Sequence, residues 1–78
     1  MSDPISPAPR DVMVRGVPIE LCQFLKFGGL AATGGEAKAH ISAGQVTLNG
    51  VVETQKRKKL QAGDRVCLDG RVIVVRVG

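Results

Sequence analysis

The sequence predicts an α+β fold, with two N-terminal helices packed on a small, mostly antiparallel sheet. Two segments between residues 17 and 44 carry helical spacing of apolar residues together with helix start and stop signals. From Gln45 onward the chain changes to short apolar runs divided by Asn-Gly, Gly-Asp and Asp-Gly turn signals. Helices and strands segregated in this way indicate α+β rather than an alternating α/β pattern. No internal repeat is present.

At 78 residues the chain holds one domain. Residues 1–10, MSDPISPAPR, contain three of the four prolines and almost no large apolar side chain. They cannot bury enough surface to offset their ordering entropy and are expected to form a flexible tail. Residues 11–78 then form a single domain, near the lower size limit for folding without staples.

Residues 11–15 (DVMVR) alternate and predict a short strand, which Gly16 ends. Pro18 suits the first turn of a helix over 19–27, where Leu21, Phe24 and Leu25 form an apolar stripe that Phe27 extends. Gly28-Gly29 stops it. The second helix is better marked. Thr33 and Glu36 have capping-box spacing, and Gly44 is placed for a left-handed C-terminal cap. Ala37 and Ile41 share one face of this helix, and Lys38 and Ser42 share another. Strands follow at 45–48 and 51–54 around Asn49-Gly50, a strong hairpin signal. Residues 55–60 carry the basic run. Further strands are expected at 65–68 and 71–77, around Asp69-Gly70.

Charge is distributed unevenly. Residues 1–30 are balanced, while residues 31–78 hold eight basic and four acidic side chains, which accounts for the whole net charge of +4. A lopsided basic domain implies a polyanionic partner. Lys56, Arg57, Lys58 and Lys59 are consecutive, and their mutual repulsion is relieved when a phosphate backbone binds and releases counterions. A solvated loop is the plainer reading of such a run. Its place in the positive half, with Lys38 on an exposed helix face, favours nucleic acid.

The chain has no Trp or Tyr, and Phe24 and Phe27 are both assigned to the core. Modules that read single strands stack bases on exposed aromatic rings. Without such a platform, binding relies on phosphate and shape, which suits folded or double-stranded RNA. Gly34 and Gly35 leave backbone amides uncovered at the positive end of a helix, where a phosphate can dock. Alternatively, they only allow a tight entry into the helix.

Catalytic and metal chemistry find no support. His40, Cys22 and Cys67 lack paired ligand spacing. Glu36 and His40, four apart, are placed to pair with each other. Both cysteines read as packed thiols. No dinucleotide or P-loop motif is present, and neither cofactor nor metal is expected. There is no membrane-length apolar run and no signal-peptide core. A cytoplasmic protein with reduced thiols is expected, and nothing calls for an oligomer.

Residues 19–70 resemble the RNA-binding domain named after small-subunit ribosomal protein four, whose two helices and following hairpin region form the alpha-L motif. IELCQFLKFGGL matches the first helix, TGGEAKAHISAGQVTLNG the second helix and hairpin, and AGDRV the closing segment. ELC, GQV and VETQKRKK are similar to the small single-domain bacterial subgroup of YbcJ-like proteins. The resemblance implies RNA binding through the second helix and hairpin. By position it implies Thr33, Gly34 and Gly35 at the helix entry, Lys38 on the helix, Gln45 and Asn49 by the hairpin, and Lys56, Arg57, Lys58 and Lys59 completing the surface. Many members carry Arg at the start of the first helix and after the Ser/Thr cap. Here those places hold Ile19 or Glu20, and Gly34.

The function expected is therefore non-catalytic docking of structured RNA, ribosomal or transfer RNA, in translation or ribosome assembly. Two alternatives stand beside it. One is a small β-rich sulfur-carrier or protein-interaction module, prompted by the hairpins and Gly78. The other is generic DNA binding.

Overall fold

A computed structural model describes residues 9–78. Most of the expected tail lies outside the described residues. Arg10 already belongs to the first strand, and its guanidinium donates to the Gly28 carbonyl.

The elements run β1 (Arg10–Val14), β2 (Ile19–Glu20), α1 (Leu21–Phe27), α2 (Gly34–Ser42), β3 (Val46–Leu48), β4 (Val51–Val52), β5 (Lys59–Leu60), β6 (Arg65–Leu68) and β7 (Arg71–Val77). The main sheet has the order β1-β7-β6-β3-β4, and β2 and β5 form a separate pair. Among the described strands only β1 and β7 run parallel. Both hairpin turns have the positive φ pairs of type I′ geometry, 52° and 85° at Asn49-Gly50 and 54° and 75° at Asp69-Gly70.

One face of the sheet packs on the helices. Val46, Val66, Leu68, Ile73 and Val75 meet Leu21, Phe24, Leu25, Ala37 and Ile41 in a single buried cluster. Burial of these side chains removes apolar area from water and is the main drive for folding. Gly28 lets the end of α1 approach β7, since a Cβ there would collide with Ile73 Cδ1.

Helix α1 starts two residues later than its spacing suggests, and Pro18, after a cis Val17–Pro18 bond, lies outside it. Ile19 and Glu20 are instead extended and paired with Leu60 and Lys59. Strand β4 is shorter than expected, because the Glu53 carboxylate accepts the Gln55 amide at 3.2 Å and turns the chain. Strand β3 begins after Gln45, whose amide closes α2 by donating to His40 at 3.1 Å. Together with the Gly44 amide bonded to Ile41, this forms a Schellman motif.

The two phenylalanines part company. Phe24 is fully buried, whereas Phe27 is 63% exposed, which corrects its assignment to the core. Phe27 falls one helical turn beyond exposed Gln23 and shares its face, outside the arc of Leu21, Cys22, Phe24 and Leu25.

Candidate nucleic-acid interface

The basic run is held by its backbone. The Lys58 amide donates to the Gln55 carbonyl at 3.2 Å, so that Lys56 and Arg57 sit at the tip of a turn. The carbonyls of Lys58 and Lys56 accept the amides of Leu21 and Cys22 at 2.9 and 3.1 Å. Two first-turn donors of α1, which a helix leaves without internal partners, are satisfied in this way. Lys59 lies in β5, where its ammonium meets the Glu20 carboxylate at 3.4 Å, and Leu60 beside it is buried. The path of the segment is fixed, while the side chains of Lys56, Arg57, Lys58 and Lys59 are all exposed.

This turn closes one side of a cleft of about 200 Å³. Glu20, Cys22, Gln23 and Lys26 line it from β2 and α1, Gly34 and Lys38 from α2, and Arg57 from the turn. Three cations thus converge from three elements that pack on one core. The one acidic side chain among them, Glu20, is engaged by Lys59. Lys38 stands one turn beyond Gly34 on the same face of α2.

At the start of α2, the Thr33 hydroxyl accepts the Glu36 amide at 3.1 Å. The Glu36 carboxylate reaches Ala32, at 2.9 Å, rather than Thr33. The amides of Gly34 and Gly35 find no acceptor among the described residues. Neither glycine has a positive φ, and a Cβ on Gly34 would meet open space. A tight helix entry therefore does not require glycine at position 34.

Gln45 and Asn49 are placed differently. Gln45 follows the far end of α2, and its side-chain oxygen lies 2.6 Å from His40 Nδ1, which displaces the Glu36–His40 pairing suggested by spacing. Asn49 donates to Asp64 Oδ1 at 3.2 Å and accepts the Arg65 amide at 3.0 Å. It lines a separate depression on the sheet with Thr47, Arg65 and Cys67. The cleft thus joins Gly34, Lys38 and Arg57 of the expected residues and adds Lys26, which lies in the charge-balanced part of the chain. Only the fold brings Lys26 to the others.

Cys22 is buried and Cys67 half-buried, and both are free thiols. Among the described residues no group of three or more His, Cys, Asp or Glu side chains is placed to hold a metal ion, and no helix is long and apolar enough to cross a membrane.

The family model described as the S4 domain matches residues 12–76. The chain belongs to the S4 domain family. The chain is 44% identical over 57 residues to YbcJ of Escherichia coli (strain K12), a match covering 73% of this chain and 81% of that protein. YbcJ of Shigella flexneri gives the same values, 44% over 57 residues. The solution structure of YbcJ from E. coli superimposes with a TM-score of 0.68 at 34% identity, covering 96% of each chain. That structure is described as revealing an alpha-L motif involved in RNA binding. The two helices and mostly antiparallel sheet of this chain match that fold.

Proposed function

We propose that this chain is a non-catalytic RNA-binding module that seats phosphates of structured RNA in the cleft between α1, α2 and the turn over residues 55–58. The observation that carries this reading is the convergence of Lys26, Lys38 and Arg57 beside the uncovered amides of Gly34 and Gly35. Fixed cations and backbone donors position a phosphate chain without reading its sequence. The involvement of the YbcJ motif in RNA binding supports it. Lys56, Lys58 and Lys59 extend the surface, and Thr33 holds the helix entry. Gln45 and Asn49 act by holding α2 and the hairpin in place. The partner is ribosomal or transfer RNA, bound by a monomer in the cytoplasm during translation or ribosome assembly.

The test is the salt dependence of binding to an RNA hairpin. Replacing Lys56, Arg57, Lys58 and Lys59 together by Ala lowers the log–log slope by roughly three units if they contact phosphates. An unchanged slope removes this surface from the interface. Duplex DNA, measured at the same salt concentration, separates RNA recognition from general polyanion binding.

A further inference from the structure

We infer that an apolar depression beside the cationic cleft receives an unpaired nucleobase, so that the chain favours structured RNA with a bulged or looped-out nucleotide. This inference rests on the RNA-binding reading above.

Phe27 and Met13 are 63% and 61% exposed, in a domain whose core is complete without them. Large exposed apolar side chains that cluster mark a binding surface far more than isolated ones do. Here they converge with Pro18, Gln23 and Arg15 around a depression of about 490 Å³. That lies within the range of small-ligand sites, about 300–1,000 Å³. Among the described residues Arg15 is the only charged one lining it, and none of them presents a carboxylate to it.

The chemistry suits a base followed by a phosphate. An exposed phenyl ring stacks on any base face, whatever the sequence. Gln23 Oε1 accepts the Glu20 amide at 3.3 Å, which leaves the side-chain NH₂ to donate to a base edge. Arg15 supplies a cation for a flanking phosphate.

The depression also borders the cleft. Gln23 lines both, and Lys26 and Phe27 are consecutive on α1. A nucleotide whose phosphate lies among Lys26, Lys38 and Arg57 would direct its base past Gln23 toward the depression that Phe27 lines. A paired base must first be unstacked to enter, at a cost that is least for one already unpaired.

The experiment uses two RNA hairpins that differ by one unpaired nucleotide, at a fixed salt concentration. The wild-type chain is compared with Phe27→Ala, Phe27→Leu and Phe27→Trp, with circular dichroism as a check on folding. The wild type should bind the bulged hairpin roughly tenfold more tightly, as expected for loss or gain of one base–aromatic stack. Phe27→Ala and Phe27→Leu should lose that advantage and keep the affinity for the paired hairpin. The sequence has no Trp, so Phe27→Trp introduces a single indole, whose fluorescence only the bulged hairpin should quench.

Equal, salt-dependent binding of both hairpins by the wild type overturns this inference and leaves the RNA-binding reading standing. An advantage retained in Phe27→Ala overturns it as well. So does concentration-dependent dimerisation that Phe27→Ala abolishes while hairpin preference stays unchanged, which would assign the patch to a second copy. Failure to bind either hairpin overturns both readings.

Discussion

The amide of Leu21 donates to the carbonyl of Lys58 across 2.9 Å, and the amide of Cys22 does the same to Lys56 at 3.1 Å. The first turn of α1 is thereby closed by the backbone of the most basic segment of the chain. Because the acceptors are carbonyls, the path of that segment is independent of its side-chain charge. Replacing Lys56, Arg57, Lys58 and Lys59 by Ala should therefore leave the fold intact. The one ion pair lost among the described residues, Lys59–Glu20, is exposed on the Lys59 side and contributes less than about 1 kcal/mol. Relief of repulsion among the four cations offsets part of it. Urea denaturation should give a midpoint close to wild type, and a loss of several kcal/mol would mean that the side chains hold the segment.

The four cations should not contribute equally to RNA binding. Lys59 is paired with Glu20 at 3.4 Å, whereas Lys56, Arg57 and Lys58 have no ion pair among the described residues. Arg57→Ala should reduce the salt slope by roughly one unit, the expectation for one phosphate contact, and Lys59→Ala by less. Glu20→Gln frees Lys59 and removes the one carboxylate that lines the cleft among the described residues, so it should tighten binding and steepen the slope. Fluorescence anisotropy titrations over a range of salt concentrations measure all three.

The parts of the fold that were legible in the sequence are those specified locally. Thr33 and Glu36 announce the start of α2, Gly44 its end, and Asn49-Gly50 the hairpin, and all three act through neighbours close along the chain. The pairing of Ile19 and Glu20 with Leu60 and Lys59 was not legible. It spans 39 positions between Glu20 and Lys59, and a two-residue bridge has no periodicity to read. Lys26 was missed for a related reason, because counting charge along the chain ignores which cations the fold brings together. Phe27 was misassigned because it ends an apolar stripe in sequence yet lies on the face of Gln23 in space.

Gly34 separates helix stability from phosphate binding. Glycine costs up to about 1 kcal/mol relative to alanine within a helix, and here neither φ nor packing requires it. Gly34→Ala should raise the melting temperature slightly and weaken RNA binding a few-fold, because the methyl group partly covers the amide. Gly34→Arg places a cation in open space at the cleft that Lys38 also lines. It should tighten binding and steepen the salt dependence, most visibly at low salt. Weaker binding by Gly34→Arg would mean that close approach to the backbone matters more here than added charge.

Asn49 offers the sharpest division between contact and scaffold. Its φ of 52° lies in the left-handed region, its side chain joins Asp64 and the Arg65 amide, and its own amide donates to the Arg65 carbonyl at 2.7 Å. Asn49→Ala imposes left-handed strain of about 1 kcal/mol and removes two hydrogen bonds, each contributing about 0.5–1.5 kcal/mol. It should destabilise the domain by about 2–4 kcal/mol in urea denaturation. Asn49→Gly relieves the strain and loses only the side-chain bonds, so its destabilisation should be smaller. Assayed well below its melting temperature, Asn49→Gly should bind the RNA hairpin with wild-type affinity and salt slope, since the residue acts by holding the turn against Asp64 and Arg65. A clear loss of affinity in the folded Asn49→Gly variant would instead put the Asn49 amide in direct contact with RNA and extend the interface from the cleft to the hairpin.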